Sequence, residues 1–155
     1  MNLKDWQDNG WLKQHTTDKQ EIANLLSIVE RDLNDAGNTT VSSDWRFGIA
    51  YNAALKLCTI VLYAQGYRPE NTLAHYRTIM ALKVINPTKW TSHSAYLNAC
   101  RMRRNTLEYE LADIIPTRRS KQTALVHSSI QGRSTRIPFD TISKSINWII
   151  PAPPE

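Results

Sequence analysis

The segment Arg101-Met102-Arg103-Arg104-Asn105-Thr106-Leu107-Glu108-Tyr109-Glu110 sets three arginines within four positions, then an asparagine, and a tyrosine four residues further on. Guanidinium forks grip phosphate bidentately. An asparagine beside them can hydrogen-bond a base or a ribose, and a tyrosine can stack on a base. The chemistry these residue types suggest is recognition of a nucleotide or of RNA. Arg101, Arg104, Asn105 and Tyr109 are the candidate site.

At about 100° per helical residue, Arg101, Arg104, Asn105, Glu108 and Tyr109 share one polar arc. Tyr96, Leu97, Cys100, Leu107 and Leu111 lie beside it, and Arg103 falls on the far border of that apolar face. Arg101, Asn105 and Tyr109 stack at four-residue steps. The same pattern also fits arginines that simply lay their stems along an apolar face. In that case Arg104–Glu108 is an i,i+4 pair worth about 0.3–0.5 kcal/mol.

The elements that must position this segment read as helices. Asp18 to Glu21, or Thr17 to Gln20, has capping-box spacing. It opens a helix with Ile22, Leu25, Leu26, Val29 and Leu33 on one face, stopped at Gly37-Asn38. Ser42-Ser43-Asp44 caps a second helix that is apolar nearly all round from Phe47 to Ala64, as the central helix of a bundle would be. Gly66 stands at its C′ position, with Pro69 soon after. Asn71-Thr72 opens a third helix that ends at Asn86-Pro87, and a fourth begins near residues 88–92 and runs to Pro116. No strand pattern precedes residue 116. The expectation is an all-α, up-and-down four- to five-helix bundle over residues 1–115. Residues 116–155 form an irregular, basic tail with four prolines after Pro116, in which "SKQTALVHSSIQ" reads as one short helix.

The 155 residues suit one domain, and 41% apolar with 21% charged residues is globular composition, which argues against a disordered chain. The net charge of +5 suits a polyanionic partner, though +3 of it lies from Asp113 onward. Cys58 and Cys100 sit far apart in apolar patterns and read as buried thiols. The opening "MNLKDWQDNGW" has no signal-peptide pattern, and the apolar run Leu57–Ala64 is too short to span a bilayer, so a cytoplasmic protein is expected. His15, His75, His93 and His127 have no metal-ligand spacing. His75 and His93 could approach the arginines in the fold. Asp44 and Arg46 flank Trp45 at a helix start. Tyr51 and Asn52 lie in the most buried helix, where Asn52 could pin the fourth helix. Arg68 is placed for a C-cap or a phosphate.

The run "SSDWRFGIAYNAALKLCTIVLYAQGYRP", then "AHYRTIMAL", then "YLNACRMRRNTLEYE", resembles small stand-alone proteins of the HEPN (higher eukaryote and prokaryote nucleotide-binding) family, over about residues 1–112. The resemblance implies a four- or five-helix bundle, a homodimer packed through the motif helices, and a toxin–antitoxin or defence role beside a nucleotidyltransferase-like partner. Active members carry Arg-x4–6-His and cut RNA with no metal or other cofactor. Arg104 matches the motif arginine that holds the scissile phosphate, and Asn105 the polar residue after it. Tyr109 stands where the histidine is expected. A phenol, with a reference pKa near 10 against about 6.5 for imidazole, is a poor proton shuttle at neutral pH. Three readings stay open: a nucleotide- or RNA-binding module, a metal-independent endoribonuclease using Arg104 and Tyr109, and a structural protein-interaction bundle.

Overall fold

A computed structural model describes residues 1–113, with side chains to Leu107. The expectations for residues 116–155 and for the Tyr109 side chain lie outside the described residues. The order of elements is α1 (Leu3–Asp8), β1 (Leu12–Gln14), α2 (Lys19–Ala36), α3 (Ser43–Ala64), β2 (Tyr67–Pro69), α4 (Ala74–Ile85) and α5 (Pro87–Asp113). Four long helices make an all-α bundle, with a short first helix and one small two-stranded ribbon.

The start and stop signals explain most boundaries. The Asp18 carboxylate accepts from the Glu21 amide at 2.8 Å and opens α2. The Glu21 carboxylate does not close a capping box. It accepts from Thr17 Oγ1 at 2.7 Å and meets His15 Nε2 at 2.8 Å, and these contacts hold its pKa below the ordinary carboxylate value. Ser42 caps α3. Gly66 follows α3 at φ +83°, the left-handed turn that a glycine makes without strain. Asn86 Oδ1 accepts from the Lys89 amide at 3.0 Å, and Pro87 at the first position of α5 fits a helix start.

Helix α3 is the central element, packed by α2, α4 and α5. Tyr51, Ala54, Leu57 and Cys58 are buried along it, and Val29 and Ala36 of α2, Ile79 and Leu82 of α4, and Leu97 and Cys100 of α5 close the core. The apolar stretch is longer than the expected run Leu57–Ala64. All of Ser43–Ala64 is long and apolar enough to cross a membrane, and half of its most apolar window is buried inside the bundle. A core helix surrounded by neighbours has this composition for its own reasons.

Three expectations are corrected. Strands do precede residue 116: Leu12 pairs with Pro69 and Gln14 with Tyr67, antiparallel. This ribbon and α1 pack on α3 and α4 in a second small core of Trp6, Leu12, Leu62 and Ala81, with Trp11 and Tyr67 against it. Arg77 of α4 lies 5.9 Å over the Trp11 ring, and Lys13 pairs with Glu70 at 3.0 Å. Arg68 is thereby a strand residue. Asn71-Thr72 does not cap the third helix. The cap position is Leu73, left-handed at φ 54° and with no side-chain cap bond. Asn52 pins α2 instead of the last helix, donating to the Asp32 carboxylate.

Candidate functional site

Helix α5 carries Arg101, Arg103, Arg104 and Asn105 past the middle of the bundle, and each arginine is set over an aromatic ring. The Arg101 guanidinium lies 5.5 Å from the Tyr76 ring of α4. Arg103 lies 5.3 Å from Phe47 and Arg104 5.8 Å from Tyr51, both of α3. Such pairs contribute about 0.5–1 kcal/mol where exposed, and more where desolvated. Arg101 Nε also donates to Asn98 Oδ1 at 3.0 Å. The arginines therefore serve packing whatever else they do.

Tyr51 joins two of them. Its side chain is 2% exposed, and its hydroxyl has no hydrogen-bond partner among the described residues. Burial pushes its pKa up to about 12, and the positive charges of Arg101 and Arg104 pull against that rise. Of the two, Arg104 lies over the Tyr51 ring itself and Arg101 over that of Tyr76.

Beside Arg104 a groove of about 460 Å³ opens between α2, α3 and α5. Phe47, Ile49 and Leu107 supply its apolar lining, and Trp45, 65% exposed, stands at its edge. Asp32 lies at its base, 5% exposed, and accepts from Arg31 Nε at 2.9 Å, Arg31 Nη2 at 2.7 Å and Asn52 Nδ2. Asp35 and Asp44 are exposed at the margin. Three carboxylates thus line the groove against two guanidinium groups, Arg31 and Arg104. It is a mixed-charge, partly apolar groove and not a purely positive cradle.

Of the residues singled out from sequence, Arg101 and Arg104 stand one turn apart on α5 over two different tyrosine rings, and half-buried Asn105 follows on the same helix. Asp44 lines the groove. Arg46 turns away to donate from Nε to the Ala36 carbonyl at 2.8 Å. His93 Nδ1 lies 3.1 Å from the Lys89 carbonyl, and its place on α5 is about 12 Å along the axis from Arg101. Among the described residues no group of His, Cys, Asp and Glu could hold a metal ion. Cys58 and Cys100 are free and buried; burial pushes their thiols up to about 12 and about 11, which removes them as nucleophiles at neutral pH.

Sequence reasoning passed over Asp32, Trp45 and Tyr76. For Asp32 the signal was present: it falls on the apolar face of α2, between Val29 and Ala36 at helical spacing. An acid on such a face needs a buried partner. No family model, no curated protein and no solved structure matches this chain.

Proposed function

We propose that this chain is a HEPN-like module that binds a nucleotide or RNA through phosphate contacts from Arg101 and Arg104. Asn105 and Tyr109 act on the base or ribose. In this reading it works in the cytoplasm as a homodimer, with a nucleotidyltransferase-like protein as its partner in a toxin–antitoxin or defence system. The observation that carries the reading is that α5 sets two guanidinium groups one turn apart, Arg101 over the Tyr76 ring and Arg104 over the Tyr51 ring. A phosphate lying along this edge of α5 would meet two charge-assisted donors, the strong class of hydrogen bond.

A second reading, a protein-interaction bundle, is favoured by a different observation. The groove beside Arg104 holds three carboxylates and an exposed tryptophan, which suit a basic, partly apolar polypeptide better than a polyanion.

RNA binding measured across a salt series separates the two. The nucleotide reading expects binding that weakens with salt, and a slope that flattens by about one unit in Arg104→Ala as one phosphate contact is lost. Binding with the same affinity and slope in Arg101→Ala and Arg104→Ala would overturn it. Total RNA incubated with the protein and EDTA adds the catalytic arm. Cleavage that Arg104→Ala and Tyr109→Phe both lose would make the module a metal-independent endoribonuclease.

A further inference from the structure

We infer that the groove between α2, α3 and α5 is the docking site of the chain's own segment 133–150. Three observations lead there. Trp45 is 65% exposed at the groove, and Ile49 and Leu107, which also line it, are only partly buried, while Phe47 closes it from the core. A largely exposed tryptophan over a partly apolar groove is a place for another apolar segment to cover. The carboxylates of Asp35 and Asp44 stand exposed beside it, and Asp32 lies beneath. The occupant that fits is therefore apolar with a positive excess.

Segment 133–150, "RSTRIPFDTISKSINWII", has that chemistry. It carries Arg133, Arg136 and Lys144 against Asp140, together with Ile137, Phe139, Ile142, Ile146 and Trp148. So many large apolar side chains in one stretch need a surface to cover them. The connection reaches. Leu107 lines the groove, and α5 ends six residues later at Asp113, about 9 Å along the helix axis. Residues 114–132 can span up to about 66 Å when extended, far more than the return to the groove requires. Tethering also places the segment at an effective concentration in the millimolar range, so a weak contact suffices.

This inference goes beyond the nucleotide reading and fails independently of it, because it is read from Trp45 and Trp148 while the nucleotide reading is tested at Arg101 and Arg104. The experiment is zero-length carbodiimide cross-linking of the full chain at low concentration. An equal mixture of isotopically light and heavy protein is used, with products mapped by mass spectrometry. The expected result is an amide between Lys144 and Asp35 or Asp44 within one molecule, and its loss in Trp45→Ala and in Trp148→Ser. The second variant changes none of residues 1–113, so the test stands even if the first folds poorly. Lys144 joined to carboxylates elsewhere on the bundle, joined between light and heavy copies, or not joined at all overturns the proposal. So does an amide that persists undiminished in Trp148→Ser.

Discussion

Asp32 is a carboxylate kept almost wholly from water, and its cost is met by three donors. Two come from Arg31, whose side chain is itself 63% exposed, and the third from Asn52 across the α2–α3 interface. Removing the amide leaves one carboxylate oxygen buried with less to bond to. Asn52→Ala should lower stability by about 1–3 kcal/mol, read as a shift in urea midpoint at unchanged slope. Asn52→Asp should be worse, since two carboxylates would then face each other in the same place. The Tyr51 hydroxyl is the opposite case. It is buried with no partner among the described residues, so Tyr51→Phe should leave the midpoint unchanged or raise it. Residue types at the site were legible from the chain: three arginines near one another have few uses. Their ring partners were not, because which aromatic each guanidinium meets depends on how α3 and α4 pack against α5, and no local spacing encodes that.

Long helices were legible for a physical reason. Helices α2 and α3 have a capping residue at the start and a glycine after the end, α5 has Asn86 before Pro87, and α2 repeats its apolar residues at three and four. The ribbon had neither signal. Strands of three residues, Leu12–Gln14 and Tyr67–Pro69, are too short for an alternation to stand out. The start of α4 misled because Asn71 and Thr72 are good cap types, yet the chain turns at Leu73. A leucine at φ 54° carries a steric penalty of about 1–2 kcal/mol, and no side chain caps the helix that follows. Leu73→Asn should relieve the first, since asparagine tolerates the left-handed region. A gain of about 1 kcal/mol in thermal or denaturant unfolding is expected.

At the scale of the molecule, three buried groups resist ionisation together. Burial raises Cys58 from 9.0 to about 12, Cys100 from 9.0 to about 11 and Tyr51 from 10.0 to about 12. Their neutral forms are the ones the fold favours. Stability from this source is intact below pH 9, where the unfolded thiols also stay protonated. It is lost as pH climbs from 9 through 12, because the unfolded chain releases protons that the folded chain retains. Melts followed by circular dichroism under reducing conditions should be level from pH 7 to 9 and fall steeply above, with Cys58→Ala showing a shallower fall.

The ribbon that ties Leu12 to Pro69 has a bearing on how the chain first folds. Helices α4 and α5, separated by Asn86 alone, can collapse on each other as neighbours in sequence. The β1–β2 pairing cannot, because it closes a long loop and must bring in a strand made much earlier. During synthesis, β1 leaves the ribosome with nothing to pair with until residues 67–69 follow. At about 5–20 residues per second that interval is several seconds. Trp6, Trp11 and Leu12 spend it without their core partners, open to a chaperone.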